Sequence, residues 1–67
     1  MKDFVEIYST TNDFEAEVIK GMLESNDIPC FLMSKKDSPY QLFGEIELHV
    51  HVNDEARALE LLKQHNE

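Results

Sequence analysis

The residues with most chemistry to offer lie on one stretch, Glu45-Ile46-Glu47-Leu48-His49-Val50-His51-Val52. Polar and apolar residues alternate along it without a break. Successive side chains of a strand point to opposite faces, so Glu45, Glu47, His49 and His51 share one face and Ile46, Leu48, Val50 and Val52 share the other. Two histidines at i and i+2 stand about 6.7 Å apart at the backbone. Together with Glu47 they form a candidate chelate for a divalent transition metal, and imidazoles also titrate near neutral pH. The competing reading is a solvated strand face on an acidic protein, and a further fixed ligand is not evident.

Two other places carry reactive or charged groups. Cys30 is a candidate nucleophile, but a reactive thiol needs a nearby base or cation, and none is local. It reads as a small buried residue. Lys35 and Lys36, with Ser34 and Ser38, can hold a small anionic ligand or an acidic peptide. The only glycines are Gly21 and Gly44, so there is no glycine-rich phosphate cradle, and a solvated loop competes with that reading. No paired acid and base, partnered nucleophile or cofactor motif is present, so no enzyme and no cofactor are expected.

Composition narrows the partners. The chain has 67 residues with 14 acidic against 6 basic, a net charge of −8. That balance repels phosphate backbones and anionic membrane surfaces, so neither nucleic acid nor a membrane is an expected partner. Met1-Lys2 leads straight into a strand-like segment without a long apolar run, and a cytoplasmic protein is the expectation. The length fits a single domain, residues 1–67. Such a domain buries only roughly 60% of its unfolded surface and commonly gains stability from disulfides, metals or self-association. One cysteine excludes an internal disulfide, and no paired-cysteine zinc spacing exists. Self-association is the stabiliser left, and a homodimer is its simplest form.

The elements that must position these groups follow in order. Phe4 to Ser9 is rich in β-branched and aromatic residues and reads as a first strand. Asn12 reads as the N-cap of a helix, with Glu15 completing a capping-box pattern. Phe14, Val18, Ile19, Met22 and Leu23 fall on one helical face, and Ser25-Asn26-Asp27 ends the helix with Asn26 able to take a left-handed turn. Ile28-Pro29 turns the chain into a short second strand, Cys30 to Met33, where proline fits a strand start or an edge. Residues 34–44 form the one long connection and hold Lys35, Lys36, Tyr40, Leu42 and Phe43. After the alternating strand, Asn53 reads as the cap of a second helix whose inner face is Ala58, Leu59 and Leu62. Setting Asn12-Asp13 on Asn53-Asp54 also places Val5 on Ile46 and Ile7 on Leu48, which turns Val5 and Ile7 inward.

The order β-α-β-β-α implies an α+β, ferredoxin-like sandwich. Right-handed crossovers make the first and second strands parallel with the third between them. The result is a three-stranded antiparallel sheet of order 1-3-2 with both helices on one face. The first strand is then an edge open to strand addition. Phe4, Tyr8 and Phe31 are expected on the uncovered face, where contiguous aromatics mark an interaction surface, or else lie under the 34–44 connection.

The run from Val5 to Leu62 resembles the small family described as putative prokaryotic signal-transducing proteins. The matching features are Glu15-Ala16 early in the first helix, Leu23-Glu24 near its end, Asn26-Asp27-Ile28-Pro29 at the turn, and Asn53-Asp54-Glu55-Ala56 with Ala58-Leu59 and Leu61-Leu62 in the second helix. Where the family often has glycine before Ile-Pro, this chain has Asp27. The resemblance implies a ferredoxin-like fold akin to PII-type regulators and a role in signalling, with no catalytic residue to carry over. The leading expectation is a non-enzymatic regulatory or protein-interaction module acting through its open sheet face, first-strand edge and the 34–44 connection. The alternative is a small-ligand or divalent-metal sensor using His49, His51 and Glu47, or Lys35 and Lys36.

Overall fold

The computed structural model describes residues 3–35 and 45–65. The elements are β1 (Phe4–Thr10), α1 (Asp13–Ser25), β2 (Cys30–Lys35), β3 (Glu45–His51), a short 3-10 turn (Val52–Asp54) and α2 (Glu55–His65). The sheet order is β1-β3-β2, and both outer strands pair antiparallel to β3. This is the α+β ferredoxin-like arrangement expected from the element order.

One core lies between the sheet and the helices. Ile46, Leu48 and Val50 of β3 bury against Ala16, Ile19 and Leu23 of α1, Ala58 and Leu62 of α2, and Ile28 and Cys30. The alternating pattern thus places its apolar set toward both helices, as strand geometry requires. Val52 is the exception: it leaves the strand, enters the 3-10 turn and is half exposed. Its N–H donates to the Asp3 carbonyl oxygen at 2.8 Å. β2 runs two residues further than expected, because Ser34 and Lys35 stay in register with Ile46 and Glu45.

β1 holds a bulge that the sequence pattern does not announce. Val5 faces Val50 and Glu6 faces His49, but the next residue in register is Tyr8, opposite Leu48. Two residues of β1 thus pass one of β3, and a bulge of this kind re-aims the side chains beyond it. Val5 stays inward and Ile7 packs against the core, as expected. Tyr8, expected on the uncovered face with Phe4, is instead on the helix side. Its hydroxyl donates to Glu15 Oε2 at 3.1 Å.

That contact joins β1 to the start of α1. Asn12 caps the helix as expected, its Oδ1 accepting from the Glu15 N–H at 3.1 Å. The reciprocal half of a capping box is absent. The Asn12 N–H donates to Thr10 Oγ1 at 3.1 Å, and Thr10 Oγ1 in turn donates to Glu15 Oε1 at 2.6 Å. The Glu15 carboxylate is therefore held against β1, which sets the rotation of α1. Small Ala16 faces the sheet with Ile19 and Leu23, while Phe14 and Val18 turn outward. On α2 the buried stripe is Ala58 and Leu62 with Leu61 beside it, and Leu59 is 45% exposed. His51, not Asn53, caps the turn before α2: its Nδ1 accepts from the Asn53 N–H at 3.0 Å.

The end of α1 is a Schellman motif. The Ile28 N–H donates to the Leu23 carbonyl at 3.0 Å and the Asp27 N–H to that of Glu24 at 3.1 Å. The left-handed residue is Asp27, with φ of 64°, rather than Asn26. The motif's apolar contact is made by Leu23 and Ile28, both fully buried. Arg57 on α2 ties the two helices, donating to the Asn26 carbonyl oxygen at 2.9 Å. A β-branched side chain is strained at a positive φ, so Asp27→Val is expected to cost about 1–2 kcal/mol. Asp27→Gly, which removes the Cβ, is expected to raise the melting temperature. Thermal unfolding of both variants by circular dichroism checks this, and a melting temperature unchanged in both would contradict the motif.

Candidate functional site

The face of the sheet opposite the helices collects every polar group that the alternation of β3 turned away from the core. Opposed residues share a face, so the register assigns its members. β1 contributes Phe4 and Glu6, β3 contributes Glu45, Glu47, His49 and His51, and β2 contributes Phe31 and Met33.

The predicted metal-ligand set is regrouped. His49 and Glu47 come together, with His49 Nε2 at 3.1 Å from Glu47 Oε1. The third member is Glu6, directly across the ladder from His49. One ligand atom from each of Glu6, Glu47 and His49 lies within 4.8 Å of the others. His51 is drawn elsewhere. Its Nδ1 is spent on the Asn53 N–H, and its ring meets Phe4 edge-on with centroids 5.6 Å apart. Glu6 has a sequence signal that only pairing reveals: antiparallel alignment of Val5 with Val50 brings Glu6 opposite His49.

Glu47 is only 7% exposed although it points away from the helices. A carboxylate removed from water needs compensation by a cation or by hydrogen bonds. The His49 ring supplies part of that compensation, as a neutral donor or, when protonated, as an ion pair.

Beside this polar group lies an aromatic one. Phe4 and Phe31 reach toward each other from the two outer strands, with ring centroids 5.0 Å apart at an interplanar angle of 86°. Edge-to-face contacts of this geometry add about 0.5–1.5 kcal/mol beyond area burial. Phe4 is half-buried, while Phe31 is 47% and Met33 44% exposed. Of the expected interaction residues, Phe4 and Phe31 share this face, and Met33, which the sequence did not single out, joins them. Lys35 ends β2, where its backbone pairs with Glu45. Lys36, Tyr40, Leu42 and Phe43 lie outside the described residues.

The remaining candidates offer less. Cys30 is buried, and desolvation pushes its thiol up to about 11, aided by the Glu24 carboxylate and opposed by Lys20 and a backbone contact to His49. A thiol with that pKa is protonated at neutral pH and is neither nucleophile nor ready ligand. Phe14, 77% exposed, and Val18 make a second apolar patch on the outer side of α1. An open groove of about 350 Å³ is lined by Asn26, Ala56, Arg57, Glu60 and Leu61. Among the described residues it brings together one guanidinium, already bonded to Asn26, and one carboxylate, with no nucleophile. Among the described residues no helix is long and apolar enough to cross a membrane.

No curated protein and no solved structure gives a significant match to this chain. A family model described as putative prokaryotic signal transducing protein matches residues 4–66. That span takes in the three described strands, both described helices, the Asp27 turn and the Glu6–Glu47–His49 group, and the chain belongs to the family so described.

Proposed function

We propose that this domain is a non-enzymatic interaction module of a signalling system, and that a second copy of the chain docks on its open sheet face. The observation that carries the reading is the Phe4–Phe31 pair with Met33 on the same face, the face that no helix among the described residues covers, where Phe31 and Met33 are half exposed. Accessible aromatics and methionine grouped together are the composition of interface cores. The strand order leaves β1 and β2 as the outer strands, so backbone pairing can extend the same contact. The choice of a second copy rests on size. A 67-residue domain has a thin core and, with one cysteine, no internal disulfide. Burying this face against itself adds apolar burial to a small core.

The test is the solution mass of the full chain over a concentration series, by size exclusion with light scattering. The wild type is expected to give a dimer that dissociates on dilution, and Phe31→Glu to weaken it at least about tenfold by placing a charge in the contact. A monomeric wild type at every concentration would overturn the second copy as occupant. A dimer unaffected by Phe31→Glu would overturn the sheet face as its seat.

A further inference from the structure

We infer that Glu6, Glu47 and His49 form a binding site for a divalent transition-metal ion of the zinc and cobalt class. The inference does not rest on the docking of a second copy, and it would stand on a monomer.

Three potential ligand atoms, two carboxylate oxygens and one imidazole nitrogen, lie within 4.8 Å of one another. A tetrahedral zinc ion bound at about 2.0–2.1 Å holds its donors about 3.3 Å apart. The His49 Nε2 to Glu47 Oε1 distance is already 3.1 Å. Glu6 is exposed, so its side chain has room to change rotamer toward the other two donors.

The backbone fixes these donors. Glu47 and His49 are two apart on β3, the strand paired on both sides, and Glu6 is held across the ladder from His49. Donors on a paired strand are better fixed than donors on loops. The β1 bulge begins immediately after Glu6, so Glu6 is the last β1 residue before the register shifts. Bulges recur beside functional sites because they aim one side chain and end the regular pairing there.

Charge also favours a dication here. A dication matches in charge the two carboxylates of Glu6 and Glu47. The burial of Glu47 makes that match worth more than at an exposed site. Imidazole with carboxylate suits zinc, cobalt, iron and manganese, while calcium and magnesium prefer oxygen alone. Three protein donors leave coordination positions for water or an incoming group, as in open zinc sites. Phe31, opposite His49 in the ladder, stands beside the site as an apolar wall.

The experiment is titration of the metal-stripped full chain with zinc chloride by calorimetry, and with cobalt chloride by visible absorption. The expected result is one ion per chain, with a cobalt band of low-coordination intensity. His49→Gln is expected to weaken binding by about 100-fold and Glu6→Gln by about 10-fold or more, while His51→Gln and His65→Gln leave it unchanged. Glu6 is exposed, so Glu6→Gln keeps the fold and carries the test even if His49→Gln does not, with far-ultraviolet circular dichroism as the check. No binding at millimolar zinc would overturn the site. So would binding that survives Glu6→Gln and His49→Gln, or binding that falls equally with His51→Gln.

Discussion

Replacing Leu48 by alanine is expected to cost about 3 kcal/mol, the usual loss for a fully buried leucine whose cavity cannot collapse. Leu48 is fully buried at the middle of β3, between Leu32 on one side and Tyr8 on the other, under the two helices. A domain of this length has a total stability of roughly 3–10 kcal/mol, so the variant loses a third of it or all of it. Leu59→Ala is the matched control. The same deletion at a 45% exposed leucine is expected to change stability by less than about 0.5 kcal/mol. Urea unfolding of both variants measures the contrast. Equal losses at the two positions would mean that α2 is rotated from the arrangement seen here.

The second large effect is at Tyr8. On the open face, Tyr8→Glu would change association and leave stability alone. On the helix side it removes a half-buried ring, a loss of about 1–2 kcal/mol from area alone. It also sets a carboxylate against that of Glu15, which lies within hydrogen-bond reach of the present hydroxyl. The expected result is a melting temperature lower by about 10 °C with no specific change in association. Circular dichroism and light scattering on one sample separate the two.

The same contact makes a pH prediction. The hydrogen bonds from Thr10 and then Tyr8, assisted by His65 and opposed by partial burial, hold the Glu15 carboxyl below its ordinary 4.5. A depressed carboxyl stabilises the fold above its unfolded pKa, and this is lost as pH falls through the lower folded value. Wild type is therefore expected to lose stability below about pH 4.5 more steeply than Glu15→Gln. Tyr8 moves the other way. Its hydrogen bond to Glu15, then burial and the nearby negative charge, raise the phenol above 10.0. Its contribution is present below pH 10 and lost as pH rises through the higher folded value.

How much of this was legible depended on whether a residue's fate was decided locally. The alternation of β3 is a period-2 signal, and Ile46, Leu48 and Val50 went to the core as it required. Asn12 capped α1 because a cap is a contact three residues long. The misplaced residues were those whose position is set by partners distant in sequence. Tyr8 reads as a neighbour of Phe4 on an unbroken strand, and only pairing with β3 introduces the bulge that turns it inward. Phe14 and Val18 form a convincing apolar stripe with Ile19 and Met22, but the tether of Glu15 to β1 rotates α1 toward Ala16. Of the candidate site, His49 and Glu47 share a face by spacing alone. Glu6 needed the strand register, and His51 was withdrawn by Asn53, a capping contact that the sequence reading assigned to Asn53 itself.

The open sheet face is the proposed surface for a partner, and the α1 patch at Phe14 and Val18 is its rival. The most direct measurement is the set of backbone amide shifts of the isotope-labelled chain followed from dilute to concentrated solution. Docking through the sheet face gives concentration-dependent shifts centred on Phe4, Phe31, Met33 and His51, with α1 unchanged. Shifts centred on Phe14 and Val18, or none at any residue up to millimolar protein, would contradict it.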